Sequence, residues 1–354
     1  MSVLDLARPE LLKMKAYSSA RTEASGGEVF LNANESAWPS YGEKGPFHRY
    51  PDPQPTALLE QLAGLYGVAR DRILVGRGSD EAIDLLIRAF CRAGQDAILI
   101  QPPTFGMYAI CAQVQNAGIV EVLLDEQFSV DPDAVLAGIT DAVKLVFVCS
   151  PNNPSGQRVS RETIVTLAEA LAGRAVLVVD EAYAEFADED DASVIDLLDR
   201  YEHVVVLRTL SKAWALAGAR VGSLLAAPAV IELLRKILPP YPVPTPCLDA
   251  ALQALSLHGR TAVAEQIRMV REQRSSMATA LRSMPGVRDV LPSAANFLTV
   301  RLDDAAAAYR RLFDAGIVVR DVRRYPRLGD ALRITIGTPD ENRRVLAVLQ
   351  GVTA

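Results

Sequence analysis

The sequence predicts an α/β protein: a large, mostly parallel sheet covered by helices on both faces, followed by a smaller α+β unit. Three observations carry this. Five segments, "RILV" (72–75), "AILI" (97–100), "KLVFVCS" (144–150), "AVLVVDEAY" (175–183) and "HVVVLRTLSK" (203–212), are built on continuous apolar runs rather than alternating ones. A strand that is apolar on both sides is buried on both faces, as the strands of parallel sheets are. Helical segments lie between these runs, and the texture changes at a proline-rich joint, "LPPYPVPTPC" (238–247).

In chain order, residues 1–30 read as an N-terminal arm packing with the small domain, 31–240 as the large domain and 241–354 as the small C-terminal domain. "LNANESAWPSYGEKGPFHRYPDPQP" (31–55) is rich in Pro, Gly and Asn and reads as a long loop. "TALLEQLAGLY" (56–66) carries Leu58, Leu59, Leu62 and Leu65 on one helical face. A helix over 80–91 follows "GRGSD". "IVEVLL" adds a further strand, and "RETIVTLAEALAG" a helix. Beyond the joint come helices at about 247–258 and 262–284, strand "FLTVRL" (297–302), a helix over 304–315, strands "IVVRD" (317–321) and "LRITIG" (332–337), and a last helix.

Composition narrows the function classes. The 354-residue chain is half hydrophobic and carries a net charge of −6, with no basic arm, which argues against a nucleic-acid partner. Its four cysteines (Cys91, Cys111, Cys149, Cys247) lie far apart and it has three histidines, so no zinc-ligand spacing exists. The thiols read as core residues of a reducing compartment. The first 21 residues interrupt their apolar positions with charges, unlike a signal peptide, and no apolar run approaches the roughly 20 residues that span a bilayer. A cytoplasmic protein is expected, with no metal and no membrane partner.

Three motifs at strand ends carry chemistry, and ligands of open α/β sheets bind at such ends. Asp180 closes strand 175–183, followed by Glu181 and Tyr183. It is either a cap or loop residue, or a buried acid waiting for a cation such as a protonated pyridine ring. In "GRGSDEAIDLLIRAF" (76–90), Ser79 either simply caps a helix or helps its free amides hold an anion; no P-loop lysine follows. "SPNNPSG" (150–156) is a turn that sets Asn153 on the same sheet edge. Lys212, in "TLSKAWALAGARVG" (209–222), is a lone ammonium among small and apolar residues, the next charge being Arg220. It is either a snorkelling helix-edge lysine or a chemical group.

In this order and spacing, "SPNNPSG", "DEAY" and "SKAWALAGAR" resemble the fold type I pyridoxal-phosphate-dependent aminotransferases. With "LNANES", "RYPDPQP", "GRGSDEAIDLLIRAF", "PPTFGMY" and "LRITIGT", the chain from Leu31 to Thr338 is similar to the histidinol-phosphate aminotransferase family, of class II. The resemblance implies pyridoxal 5′-phosphate as cofactor. It makes Lys212 the point of covalent attachment and the proton shuttle, and Asp180 the partner of the pyridinium nitrogen. Tyr183 and Asn153 would hold the 3′ oxygen, and Phe105 would stack on the ring where many relatives carry tyrosine, with Tyr108 in reserve. The phosphate cup would combine the Ser79 and Asp80 amides, the Thr209 and Ser211 hydroxyls and Arg220, and Tyr50 would reach it from the other subunit of a homodimer.

On the substrate side, the resemblance makes Arg333 the clamp for the phosphate of histidinol phosphate and for the carboxylate of glutamate, assisted by Arg320. Tyr17 and Asn34 would line the pocket. Arg320 could equally form a surface ion pair with Asp321 or Asp330. The loop over 35–50 departs from the family pattern. The implied reaction moves the amino group of L-histidinol phosphate to 2-oxoglutarate, giving imidazole acetol phosphate and glutamate in histidine biosynthesis. An aromatic amino acid aminotransferase, or a decarboxylase of a phosphorylated amino acid, would use the same cofactor motifs. A transcription regulator on this fold would need a DNA-binding domain, for which the thirty residues before "NANES" leave no room. A Rossmann dehydrogenase would need the glycine that "GRGSDE" lacks.

Overall fold

The computed structural model describes residues 2–18, 29–42, 45–188 and 193–351. The larger sheet comprises β1 (Ile73–Gly76), β2 (Ala97–Ile100), β3 (Gly118–Glu121), β4 (Val143–Cys149), β5 (Val176–Asp180), β6 (Val204–Thr209) and β7 (Gly222–Leu225). They lie in the order β1-β7-β6-β5-β4-β2-β3. The pairs from β6 through β5, β4 and β2 to β3 are parallel, whereas β7 runs antiparallel to both β1 and β6.

The continuous apolar runs have a direct cause. In β5, Leu177 and Val179 point into one core and Val176 and Val178 into the other; in β6, Val204 and Val206 face one way and Val205 and Leu207 the other. The Arg161–Leu171 helix covers the first face through Ile164, Leu167 and Leu171, and the Ser79–Phe90 and Pro228–Arg235 helices cover the second. Both faces being dry, neither register of side chains is polar.

The smaller sheet is antiparallel, with β8 (Val287–Val290), β9 (Phe297–Leu302), β10 (Arg320–Asp321) and β11 (Ala331–Thr335) in the order β10-β11-β9-β8. The Leu257–Arg282, Ala305–Asp314 and Pro339–Gln350 helices cover it through Met277, Leu281, Leu312, Val345 and Leu349. The strand expected over 317–321 pairs only at its last two residues.

The arm differs from expectation. Val3, Leu6, Ala7 and Leu11 are buried in the core that holds Ile83, Phe90 and Leu234, so the start of the chain packs on helices of the larger sheet and not on the small domain. The physical reason is an apolar stripe at helical spacing, fixed by the Arg8 amide donating to the Ala89 carbonyl at 3.0 Å and by Lys236 donating to the Leu11 and Leu12 carbonyls. Residues 19–28 of that arm lie outside the described residues. Among the described residues, no helix is long and apolar enough to cross a membrane.

Candidate active site

The C-terminal ends of β4, β5 and β6 face a cavity of about 370 Å³, closed on its far side by residues of β10, β11 and the loop between them. Ser79, Asp80, Phe105, Asn153, Asp180, Tyr183, Thr209, Ser211, Lys212, Arg220, Arg320 and Arg333 all line it. Tyr17, Asn34 and Tyr50 do not. Tyr17 is largely exposed, and Asn34 and Tyr50 border a separate pocket beside Pro244, where Tyr50 stacks on Tyr241 at 4.5 Å. Tyr17 and Asn34, expected to line the pocket, thus lie outside this cavity of the single chain.

Asp180 is 2% exposed. Its Oδ2 accepts a 2.7 Å hydrogen bond from the Tyr108 hydroxyl and its Oδ1 accepts from the Ala182 amide at 3.1 Å. Among the described residues, Asp180 makes no ion pair. Burial pushes its carboxyl up to about 6, against the two hydrogen bonds that favour the anion. A buried carboxylate without a cation is unfavourable by itself, so the site is electrostatically incomplete on the cavity side.

Lys212 faces the same cavity from the segment after β6. Its neighbours Leu210, Ala213 and Trp214 are buried in the core, which pins the backbone and sends the ammonium outward into the cavity, its Nζ lying 5.5 Å from the Tyr183 ring centroid. Burial first, then Arg333 and more weakly Arg220, hold its pKa below the usual lysine value, against the opposing pull of Asp80 and Asp180.

One end of the cavity is a cup. The Ser79–Phe90 helix starts without a side-chain cap, leaving its first amides to the cavity end. Gly222 of β7 passes so close that a β-carbon there would lie 2.5 Å from the Gly78 carbonyl carbon and 2.6 Å from the Ser79 nitrogen. Arg220, in the left-handed region at φ 54°, bonds Asp80 at 3.0 Å and the Ser211 hydroxyl at 3.4 Å. The Asp80 carboxylate is thus drawn to Arg220.

The other end is a pair of arginines. Arg320 and Arg333 are direct cross-strand partners in the β10–β11 ladder, an arrangement that like charges disfavour. Arg333 donates to the Asn153 side chain, lies 5.1 Å from the Phe297 ring centroid and keeps a buried Nε without a partner. The ion pairs offered as an alternative for Arg320 do not form. Asp321 binds Arg323 at 2.7 Å, and Asp330 binds Arg288 and Arg301.

Three groups of residues were not read from the sequence in these roles. Tyr108, held in reserve as a stacking ring, is instead fully buried against Phe147 and serves Asp180. Arg324 and Tyr325 line the cavity from the β10–β11 loop; the signal was available, a pair of basic residues and an aromatic between two expected strands. Under the sheet edge, Glu181 and Glu185 both bind Arg208 at 2.8 Å in a buried triad.

The chain belongs to the class I and II aminotransferase family, whose model matches residues 25–349. Among its relatives, the histidinol-phosphate aminotransferase of Xanthomonas euvesicatoria is 52% identical over 354 residues, 99% of this chain and 97% of the relative. That of Xylella fastidiosa (strain 9a5c) is 50% identical over 358 residues, 100% of this chain and 98% of the relative. The crystal structure of histidinol-phosphate aminotransferase from Sinorhizobium meliloti in complex with pyridoxal-5′-phosphate superposes with a TM-score of 0.78 at 27% identity, covering 87% of this chain and 84% of that one.

Proposed function

We propose that this aminotransferase moves the amino group of L-histidinol phosphate to 2-oxoglutarate by way of pyridoxal 5′-phosphate, giving imidazole acetol phosphate and glutamate. One observation carries the reading: a single cavity with two cationic ends, Arg220 beside a helix N-terminus and the Arg320–Arg333 pair opposite, with Lys212 and Asp180 between. Such a cavity suits a phosphate-bearing cofactor and a phosphate-bearing substrate together. The full-length similarity to histidinol-phosphate aminotransferases supports the same substrate.

The residues fit the cofactor. Asp180 is a buried carboxylate lacking a cation, which a ring N–H⁺ would supply. With glycine at 78 and 222, no β-carbon crowds the first amides of the helix or the Arg220 guanidinium, so a phosphate could meet those amides beside Arg220. When bound, pyridoxal phosphate supplies an electron sink that makes the adjacent substrate carbon acidic. Lys212 would attach the cofactor and, once free, would take and return the proton at that carbon; burial and Arg333 shift its pKa downward, the direction a base requires. Ser79, Thr209, Ser211 and Arg220 would hold the cofactor phosphate, with the Asp80 amide. Phe105 would cover the ring, Asn153 and Tyr183 would hold its oxygen, and Arg333 with Arg320 would grip the substrate phosphate or the carboxylate of glutamate.

We also propose a homodimer in which Tyr50, with Tyr17 and Asn34, completes the partner's site. Leu31, Trp38, Tyr41 and Phe47, exposed in the same segment, support this. The four free cysteines agree with a cytoplasmic location. The test is the visible absorbance of the purified protein before and after histidinol phosphate, with no keto acid. Bleaching of the yellow band is the expected result. A band untouched by histidinol phosphate but bleached by phenylalanine would shift the substrate to aromatic amino acids.

A further inference from the structure

Beneath the cavity floor, Tyr108 carries a buried hydroxyl and does not line the cavity. It is 0% exposed, stacks on Phe147 at 4.7 Å and meets Phe105 edge-on at 5.6 Å. Its ring is therefore fixed on two sides by packing, and its hydroxyl has one strong acceptor, Asp180 Oδ2 at 2.7 Å. We propose that Tyr108 is a positioning residue: it keeps Asp180 ionised and aimed into the cavity, so that the acid can receive a cationic ring nitrogen. The inference rests on the pyridoxal-phosphate reading above.

The geometry supports it in two ways. Asp180 needs both its oxygens oriented, and the Ala182 amide holds only Oδ1; without Tyr108, Oδ2 would lose its donor in a dry pocket. The hydroxyl donates to the anion and cannot donate equally well to a protonated carboxyl, so it opposes the effect of burial, which acts the other way. The other groups facing Asp180 are Cys149, its register partner on β4, Glu181 on its own segment, Asp80 on the Ser79–Phe90 helix, Tyr183 and Lys212. Glu181 and Asp80 are acidic and favour the protonated carboxyl, Cys149 and Tyr183 are neutral, and Lys212 is the one cation among them and lies across the cavity. Tyr108 is the one neutral side chain among these neighbours that donates a hydrogen bond to the anion.

The test is Tyr108→Phe in the full-length holoenzyme, a change that keeps the ring and its stack on Phe147. Bound cofactor is followed by visible absorbance through serial dilution at several pH values, in the wild type, Y108F, D180N and the double variant. Loss of one hydrogen bond to a buried charge predicts that Y108F releases cofactor about tenfold more readily near neutral pH. The pH at which acid weakens binding moves upward relative to wild type, a ratio from which the cofactor's own titrations cancel. In the D180N background, Y108F adds little, because the charge it serves is gone. Equal loss at every pH, or an undiminished effect in D180N, overturns the proposal. A wild type that holds no pyridoxal phosphate overturns both this and the reading beneath it, whereas normal binding by Y108F overturns Tyr108 alone.

Discussion

Asp180 carries a stability penalty whose size and sign follow from its surroundings. In the protein stripped of cofactor, burial holds its carboxyl at about 6 against an ordinary value of 3.8. Below pH 3.8 folded and unfolded chains both carry the proton and the residue is neutral in effect. Between the two values the folded chain keeps a proton that the unfolded chain has released, so stability falls as pH rises, and the full loss is present above pH 6. At 1.36 kcal/mol per pH unit that loss is about 3 kcal/mol. Asp180→Asn removes the charge and keeps the shape, although its one oxygen must choose between Tyr108 and the Ala182 amide, which returns about 1 kcal/mol. Cofactor-free D180N is therefore expected to exceed wild type by about 1–3 kcal/mol at pH 8, with the advantage gone by pH 4. Urea unfolding across that range measures it. An advantage that is constant with pH, or larger in acid, would refute the reasoning, because burial would then not be the term that governs Asp180.

Other expectations follow from the same geometry. Gly222→Ala forces a β-carbon against the Gly78 and Ser79 backbone, which overpacking values put at about 1–3 kcal/mol; thermal unfolding should fall and cofactor retention weaken, and an unmoved melting temperature would count against the contact. Arg208→Met leaves Glu181, 1% exposed, without its cation, and denaturant titration should report a loss of about 3–5 kcal/mol. Lys212→Ala should still take up cofactor but lose the absorbance of the attached form; a retained band would remove Lys212 from its role. Arg324→Ala should raise the KM for the phosphate-bearing substrate and leave kcat nearly unchanged, and an unchanged KM would confine Arg324 to the rim.

The sheet was legible because burial on both faces writes itself as unbroken apolar runs, and "AILI" and "FLTVRL" match their strands residue for residue. β7 escaped because "GSLL" is short and half of it is small residues, yet those small residues are what allow Gly222 to pass Gly78. The helix Met107–Val114 also escaped, since it starts directly after "PPTFG" without a side-chain cap. Within the site, Asp180, Asn153 and Lys212 were legible because each sits where a strand stops. Tyr108 was not legible as a partner of Asp180: the contact spans 72 residues, and no local pattern marks which buried tyrosine will find which acid. The position of the arm was also hidden, because an apolar stripe says that a segment packs but not against which surface.

The ladder that sets Arg320 opposite Arg333 would make the proposed anion clamp a ruler rather than a hand. Their backbones are separated by the fixed spacing of antiparallel partners, about 4.5–5.5 Å, and neither can be drawn back without breaking a strand pair. The two guanidiniums can still swing on their long side chains, but the points that anchor them move only together, with the smaller sheet. A substrate that outruns those side chains is therefore expected to be met by a shift of that sheet relative to Asp180 and Lys212, and a change of reach to begin in the segments that join the two sheets, at positions that touch no ligand.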